Sequence, residues 1–415
     1  MLETLLLSFA LLALLSIVFE EITHINKAKT TLLFGCLSWM CLFIGHTDNS
    51  QHYVHRLEEN LLEIATLWLF LMSTMTFVAY LNAKNIIQMA VQRLLPKRAR
   101  VKTLMFIVAV FSLVLSAICD NVTSILVSLA LIQSLNVDVR VKARMAVLSI
   151  FAVNSGGVAL ITGDVTTLMI FLDGHVQMSH LFTLFIPATL SVLCLATIFS
   201  MSVSGEIEVT PIKADYQTVD LIIAAIFFCT IIATMVMNVF YAIPPVLTFL
   251  TGLSVMFLVG RFYRSAQEEK KILEYIREIE YDTLLFFLGI LLLVGALKEI
   301  GTLDLVTQTY VQYDPQISNF FAGIASALLD NVPLTAALLK AQPVLSSSEW
   351  LGLTYAVGVG GSMLIIGSAP GIIAMSKMKE LSFVRYMRYI PALAFAYAVG
   401  YLFTVYMANN LIPGI

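Results

Sequence analysis

Apolar residues run through this chain in long stretches separated by short polar gaps, at about 2–19, 30–46, 61–81, 103–118, 122–135, 146–171, 181–203, 218–241, 245–260, 281–297, 318–329, 332–345, 351–375 and 389–408. A helix needs about 20 apolar residues to cross the hydrocarbon of a bilayer, and most of these windows can do so. The windows 103–118, 122–135, 318–329 and 332–345 are too short. They form two adjacent pairs, one meeting at Asp120-Asn121 and the other at Asp330-Asn331. Each pair is predicted to be a re-entrant helical hairpin whose tip stops inside the membrane, because backbone at that depth must hydrogen-bond within the protein.

Basic residues sort in agreement with this. With the two hairpins entering from opposite sides, 21 of the 24 Lys and Arg residues fall on one side, and only Arg56, Lys298 and Lys340 on the other. The rich side is then cytoplasmic and both termini lie outside. Met1-Leu-Glu-Thr, which has no basic start and no small-residue cleavage site after its apolar run, is expected to begin a retained helix.

The two halves resemble each other. Cys119-Asp-Asn-Val-Thr recurs as Leu329-Asp-Asn-Val-Pro333, Asn154-Ser-Gly-Gly through Gly163-Asp164 lines up with Gly358-Val-Gly-Gly through Gly367-Ser368, and Glu63-Ile-Ala-Thr-Leu matches Glu280-Tyr-Asp-Thr-Leu. Each half holds five spanning segments and one hairpin, an odd number of crossings, so the second copy is inverted. The fold class expected is an all-α polytopic membrane protein of two inverted-topology repeats, each with a re-entrant hairpin and a broken helix. Residues 1–203 form the first repeat, with hairpin 103–135 and broken helix 146–171; 204–217 form a cytoplasmic linker; 218–415 form the second repeat, with hairpin 318–345 and broken helix 351–375.

Composition narrows the classes further. The chain is 59% hydrophobic and 12% charged, against about 25% charge in soluble domains. Secreted, fibrous and nucleic-acid-binding classes are excluded, and the inner (plasma) membrane is the expected location. The five cysteines, Cys36, Cys41, Cys119, Cys194 and Cys229, lie in apolar segments without metal-ligand spacing and are expected to be small buried hydrophobes. The net charge of −3 decides nothing.

Candidate chemistry comes from acids at the centre of apolar segments: Asp120, Asp164 and Asp330, with no basic residue expected at their depth. A charge there costs about 2.5–3.5 kcal/mol on insertion scales, so these groups need protons, water or a bound cation. Helix capping is the structural alternative for Asp120 and Asp330, although an Asn stands beside each and would cap as well. From Asn154 to Thr167 the chain places Gly156, Gly157 and Gly163 among Ser155, Thr162, Thr166 and Thr167. That composition predicts a helix unwound at mid-depth, whose carbonyls with Asp and Thr oxygens suit a small hard cation. The second half has Ser368 in the place of Asp164, so the site is expected to be asymmetric, with Asp120 and Asp164 close together and Asp330 of lesser weight. His175 and His180 are expected in an outward loop, and Glu63 at the outer end of a spanning helix.

Asp120-Asn-Val-Thr-Ser, Asn154-Ser-Gly-Gly, Gly163-Asp-Val-Thr-Thr-Leu-Met169 and Gly323-Ile-Ala-Ser-Ala-Leu-Leu-Asp-Asn-Val-Pro333 resemble the NhaD-type sodium/proton antiporters of the ion transporter superfamily, over about residues 55–400. The resemblance implies exchange of cytoplasmic sodium or lithium for external protons by a homodimer with a scaffold and a mobile transport domain. It implies functional polar residues at Asp120, Asn121, Asn154, Asp164, Thr166, Thr167, Ser326 and Asn331. Sodium is expected at Asp120, Asp164, Asn154 and Thr166, with Asp330 and Ser368 completing the set. Between Gly157 and Gly163 the chain departs from the pattern: Val-Ala-Leu-Ile-Thr replaces a segment that commonly contains Ser-Pro. No cofactor is expected beyond the transported ion, and the chain is not expected to be an enzyme. An intramembrane aspartyl protease would need Gly-x-Gly-Asp, whereas Leu160-Ile-Thr-Gly precedes Asp164. The alternative within the superfamily is a sodium-coupled anion symporter, which needs an anion site built without embedded Arg or Lys.

Overall fold

The structure, a computed structural model, describes residues 2–18, 23, 25–45, 50–84, 86, 98–208, 218–263, 274–378 and 381–410. Long apolar runs become helices because a helix satisfies its own backbone. Among the described residues, eight helical stretches are long and apolar enough to cross a membrane. The chain is a helical multi-pass membrane protein.

Two groups of helices pack against each other. The first consists of α1 (Leu2–Val18), α2 (Lys27–Gly45), α3 (Ser50–Ala83), α10 (Thr218–Tyr241), α11 (Pro245–Tyr263) and α12 (Tyr281–Glu299). Its tightest pairing is α2 on α12, where a Cβ at Gly289 would overlap the backbone at Thr31 and Leu32. Indole and amide donors fasten this group: Trp39 Nε1 donates to the Leu292 carbonyl at 2.9 Å, Trp68 Nε1 to the Leu284 carbonyl at 2.7 Å, and Asn60 Nδ2 to the Leu291 carbonyl at 3.3 Å.

The second group contains the shorter helices, which meet inside the protein; Val101–Ile118 is itself one of the eight of spanning length and composition, which corrects the expectation that the window 103–118 is too short. Helices α4 (Val101–Ile118) and α5 (Asn121–Ser134) join at Cys119-Asp120, and α14 (Pro315–Leu329) and α15 (Asn331–Ala341) join at Asp330. The windows 146–171 and 351–375 are each interrupted: α6 (Val139–Gly157) and α7 (Val165–Leu172) flank one break, α16 (Ser347–Gly360) and α17 (Ala369–Lys377) the other. Between the segments run α8 (Met178–Thr183), α9 (Phe185–Ser200) and α13 (Asp304–Gln312), and the chain closes with α18 (Phe383–Met387) and α19 (Ile390–Asn410). Asp138, Asp314 and Ser346 start α6, α14 and α16 by accepting from backbone N–H groups of the first turn.

The halves also match in their packing. Glycine lets α6 lie on α4, since a Cβ at Gly156 would overlap the Leu113 carbonyl; likewise a Cβ at Gly360 on α16 would overlap the Gly323 carbonyl of α14. The pairs cross over as well: α5 touches α17, and α15 touches α7. Helix α6 begins seven residues ahead of its apolar window because Asp138 caps it, and Arg140, Lys142 and Arg144 stay at its polar end, Arg144 bonded to Ser202. One small departure from an all-α fold is a ribbon of β1 (Arg98–Arg100) and β2 (Glu206–Glu208), antiparallel, with Arg98 opposite Glu208. Most of the expected linker, 209–217, lies outside the described residues.

Gly156→Ala and Gly360→Ala are expected to lower stability by about 1–3 kcal/mol through overpacking against a backbone carbonyl. Gly352→Ala, whose Cβ would meet its nearest atoms at 3.8 Å, is expected to be near neutral. Thermal unfolding in detergent checks this, and three equal midpoints would refute the packing.

Candidate functional site

Four helix N-termini end at one place. Helices α5, α7, α15 and α17 begin at Asn121, Val165, Asn331 and Ala369, and the first residues of all four line one cavity of about 170 Å³. Helix starts leave N–H groups without intrahelical partners, and each helix brings about half a positive charge there. Acidic side chains answer two of them. Asp120 Oδ1 accepts from the Thr123 N–H at 2.8 Å and its Oδ2 from Thr123 Oγ1 at 2.9 Å. Asp164 Oδ1 accepts from the Thr166 N–H at 3.1 Å, and its Oδ2 accepts from Asn331 Nδ2 at 3.1 Å, so the start of α15 is bonded to the start of α7. Asn121 Oδ1 accepts from Ser116 Oγ at 2.6 Å, and a Cβ at Gly157 would come against both Asn121 and Asp164.

Asp330 behaves differently. Its backbone is left-handed (φ +67°) and its side chain makes no cap to α15. Buried to 4% exposure, it turns to Lys27 on α2, whose Nζ lies 3.3 Å from Oδ2; its Oδ1 has no hydrogen-bond partner among the described residues. The expectation that no basic residue reaches the depth of the acids is therefore corrected. Lys27 stands at the end of an apolar window, and its long stem carries the ammonium inward while its Cα stays near the helix end.

Asp120, Asn121, Asp164, Asp330 and Asn331 thus share one cavity, and Lys27 shares it with them. Asn154, Thr166, Thr167, Ser326 and Ser368 do not line it. Asn154 Nδ2 donates to Ser368 Oγ at 2.8 Å, joining the two broken helices, and Asn154 Oδ1 has no partner among the described residues. Ser326 Oγ donates to the Val357 carbonyl at 2.7 Å, and Thr167 Oγ1 to the Gly157 carbonyl at 3.4 Å, both serving backbone near a helix break. Sequence reasoning missed Lys27 and Asp282. A signal for Asp282 was present, since it lies within the Glu280-Tyr-Asp-Thr-Leu match between the halves. Nearby, at the start of α12, burial and then the charges of Asp120 and Asp282 hold the Glu280 carboxyl above the usual range.

A family model described as "Citrate transporter" matches residues 4–358. The Na+/H+ antiporter NhaD of Vibrio parahaemolyticus is 30% identical over 411 residues, covering 90% of this chain and 98% of that protein. The chain belongs to the NhaD family. The Na+/H+ antiporter NhaD of Vibrio cholerae serotype O1 is 29% identical over 92% of this chain and 87% of its own length, and that of Alkalimonas amylolytica 30% identical over 91% and 85%. Among solved structures, the YdaH transporter of Alcanivorax borkumensis matches with a TM-score of 0.56 at 13% identity, covering 88% of this chain and 90% of that one. That likeness is one of fold.

This NhaD-family chain has a second cavity, of about 260 Å³, bordered by Glu63 and Thr66 of α3, Leu291 of α12, and Met169 and Asp173 at the far end of α7. Glu63, expected at the outer end of a spanning helix, lies thirteen residues beyond the start of α3 and is ion-paired in this cavity with Lys340 near the end of α15. His175 stacks on Trp350 with centroids 3.8 Å apart, and its Nε2 lies 2.7 Å from Asp173.

Because Asp120 caps α5 with its side chain, Asp120→Ala is expected to cost about 1 kcal/mol of stability while Asp120→Asn, which keeps an acceptor, costs far less. Equal unfolding midpoints for the two variants would remove the cap.

Proposed function

We propose that this chain exchanges cytoplasmic sodium or lithium for external protons at the cavity where Asp120, Asp164 and Asp330 meet. The observation that carries this reading is the convergence of Asp120, Asp164 and Asp330, with Asp282 beside them, from both halves of the chain on one cavity inside a membrane-spanning body. The NhaD relatives, named as Na+/H+ antiporters, support it. Carboxylate and amide oxygens of Asp120, Asn121 and Asp164 suit a hard cation, and Asp330 Oδ1, which has no hydrogen-bond partner among the described residues, is a further oxygen ligand.

The same carboxylates hold either sodium or protons. Sodium favours the ionised set and protons the neutral one, so mutually exclusive occupancy is enough for exchange. In our reading the α4–α5 and α14–α15 pairs are re-entrant hairpins of two inverted repeats, and the group of short helices moves against the α2–α3–α12 group to carry the site from side to side. The opening beside Asn26 and Asp282 then faces the cytoplasm.

A second reading, sodium-coupled uptake of a carboxylate anion, draws on the description of the matching family model and on Lys27 in the cavity. Against it, the ammonium is already engaged by Asp330, and acids outnumber it.

Two measurements test the proposal. Adding sodium to weakly buffered purified protein is expected to release protons, and apparent sodium affinity is expected to strengthen as pH rises and then level off; linkage requires the two effects together. Asp164→Asn should lose both. Sodium binding without proton release across the active range would overturn exchange at shared carboxylates. For topology, single cysteines placed at 98 and 138 should react from the same face of the membrane; reaction from opposite faces would sink the hairpin.

A further inference from the structure

Lys27 is held where it is from several directions. It occupies the first turn of α2, where a cation opposes the helix dipole, so a position there needs a compensating partner. Asn26 fixes that turn: its Oδ1 accepts from the Ala28 N–H at 2.8 Å, and its Nδ2 donates to Asp282 Oδ2 on α12 at 2.7 Å. The ammonium lies 4.7 Å from the centre of the Phe286 ring and faces Asp330. Asp330, for its part, gives up the helix cap that Asp120 and Asp164 both make, and adopts a left-handed backbone that is uncommon for a residue with a side chain.

The charge of the cavity makes sense of this. Asp120, Asp164, Asp282 and Asp330 all line it; four helix N-termini bring about half a positive charge each, while Asp282 takes the Asn26 amide and Asp330 the Lys27 ammonium. Lys27 already holds Asp330 Oδ2, so a sodium ion coordinated by that oxygen takes the place of the ammonium there.

Resting on the exchange reading above, we propose that Lys27 is a tethered cation that occupies Asp330 in the unloaded carrier and is displaced by the transported ion, so that it sets apparent sodium affinity. Lys27 belongs to the helix group opposite the one that carries Asp330, so the same contact joins the two groups only while the site is empty. Lys27 acts here as a positioning residue, through Asp330. Among the described residues, the acids that line the cavity with it are Asp330, Asp120, Asp164 and Asp282, the last beside Asn26.

The test is sodium-driven proton movement in proteoliposomes, with sodium-dependent thermal protection in detergent as a readout free of turnover. Lys27→Gln is expected to lower the sodium concentration at half effect in both assays, on the order of fivefold, the size of an ordinary coupling between two ligands. Lys27→Arg, whose fork grips a carboxylate at two points, is expected to raise it. In an Asp330→Asn background, adding Lys27→Gln should cause no further change. An unshifted half-effect in Lys27→Gln overturns the proposal, as does a shift that survives in Asp330→Asn. Should Lys27→Gln not fold, an unshifted Lys27→Arg overturns it equally. Failure of the exchange reading would look different, because the parent protein itself would then move no protons in response to sodium.

Discussion

A helix that ends in the middle of a membrane protein exposes N–H groups where water does not wait to satisfy them, and this chain ends four helices together. Everything at the centre follows from housing those ends. Asp120 and Asp164 take hydrogen bonds from their own helices, Asn331 reaches from the start of α15 to Asp164, and Ser116 holds Asn121 in place. The local field of four helix starts is positive, so a cation site there requires more acid than an ordinary cap supplies. In the proposed exchange, that requirement accounts for carboxylates standing where uncharged caps would have sufficed for folding.

Much of this was legible in the sequence, for physical reasons that can be named. Short apolar windows meeting at an acid and an amide pointed to helix breaks there, and the breaks at Asp120 and Asp330 fall where the pattern placed them. Glycines among hydroxyl residues marked the interruptions after Gly157 and Gly360. Which acid would cap its helix was not legible, because that depends on backbone φ: Asp330 sits at +67° and cannot aim its side chain back along α15, whereas Asp120 is extended and can. Nor was Lys27. A lysine stem is long enough to place its charge well away from its Cα, so counting basic residues by loop hides one that reaches inward. The ribbon between Arg98–Arg100 and Glu206–Glu208 pairs segments over a hundred residues apart, beyond any local pattern.

The correspondence between the halves extends to backbone contacts, since Gly156 on Leu113 and Gly360 on Gly323 are equivalent approaches. The chemistry is not equivalent. Where the first half has Asp164, the second has Ser368, which bonds to Asn154 instead of facing the cavity. Matched packing preserves how the two broken helices seat against their neighbours, and the unequal side chains give the centre one charge fewer than a doubled site would have.

Helix α15 is anchored at both of its ends to the opposite group, through Asp330 to Lys27 of α2 and through Lys340 to Glu63 of α3. The anchors lie ten residues apart, about 15 Å along the helix, and their polarity is reversed: the helix offers an acid at one end and a base at the other. They also differ in strength. Glu63 is 54% exposed, and a solvated pair of that kind is worth about 0–1 kcal/mol, whereas Asp330 is nearly closed off from water. The firmer hold on α15 is therefore the carboxylate that borders the cavity, so in the proposed exchange whatever neutralises that carboxylate also loosens the helix.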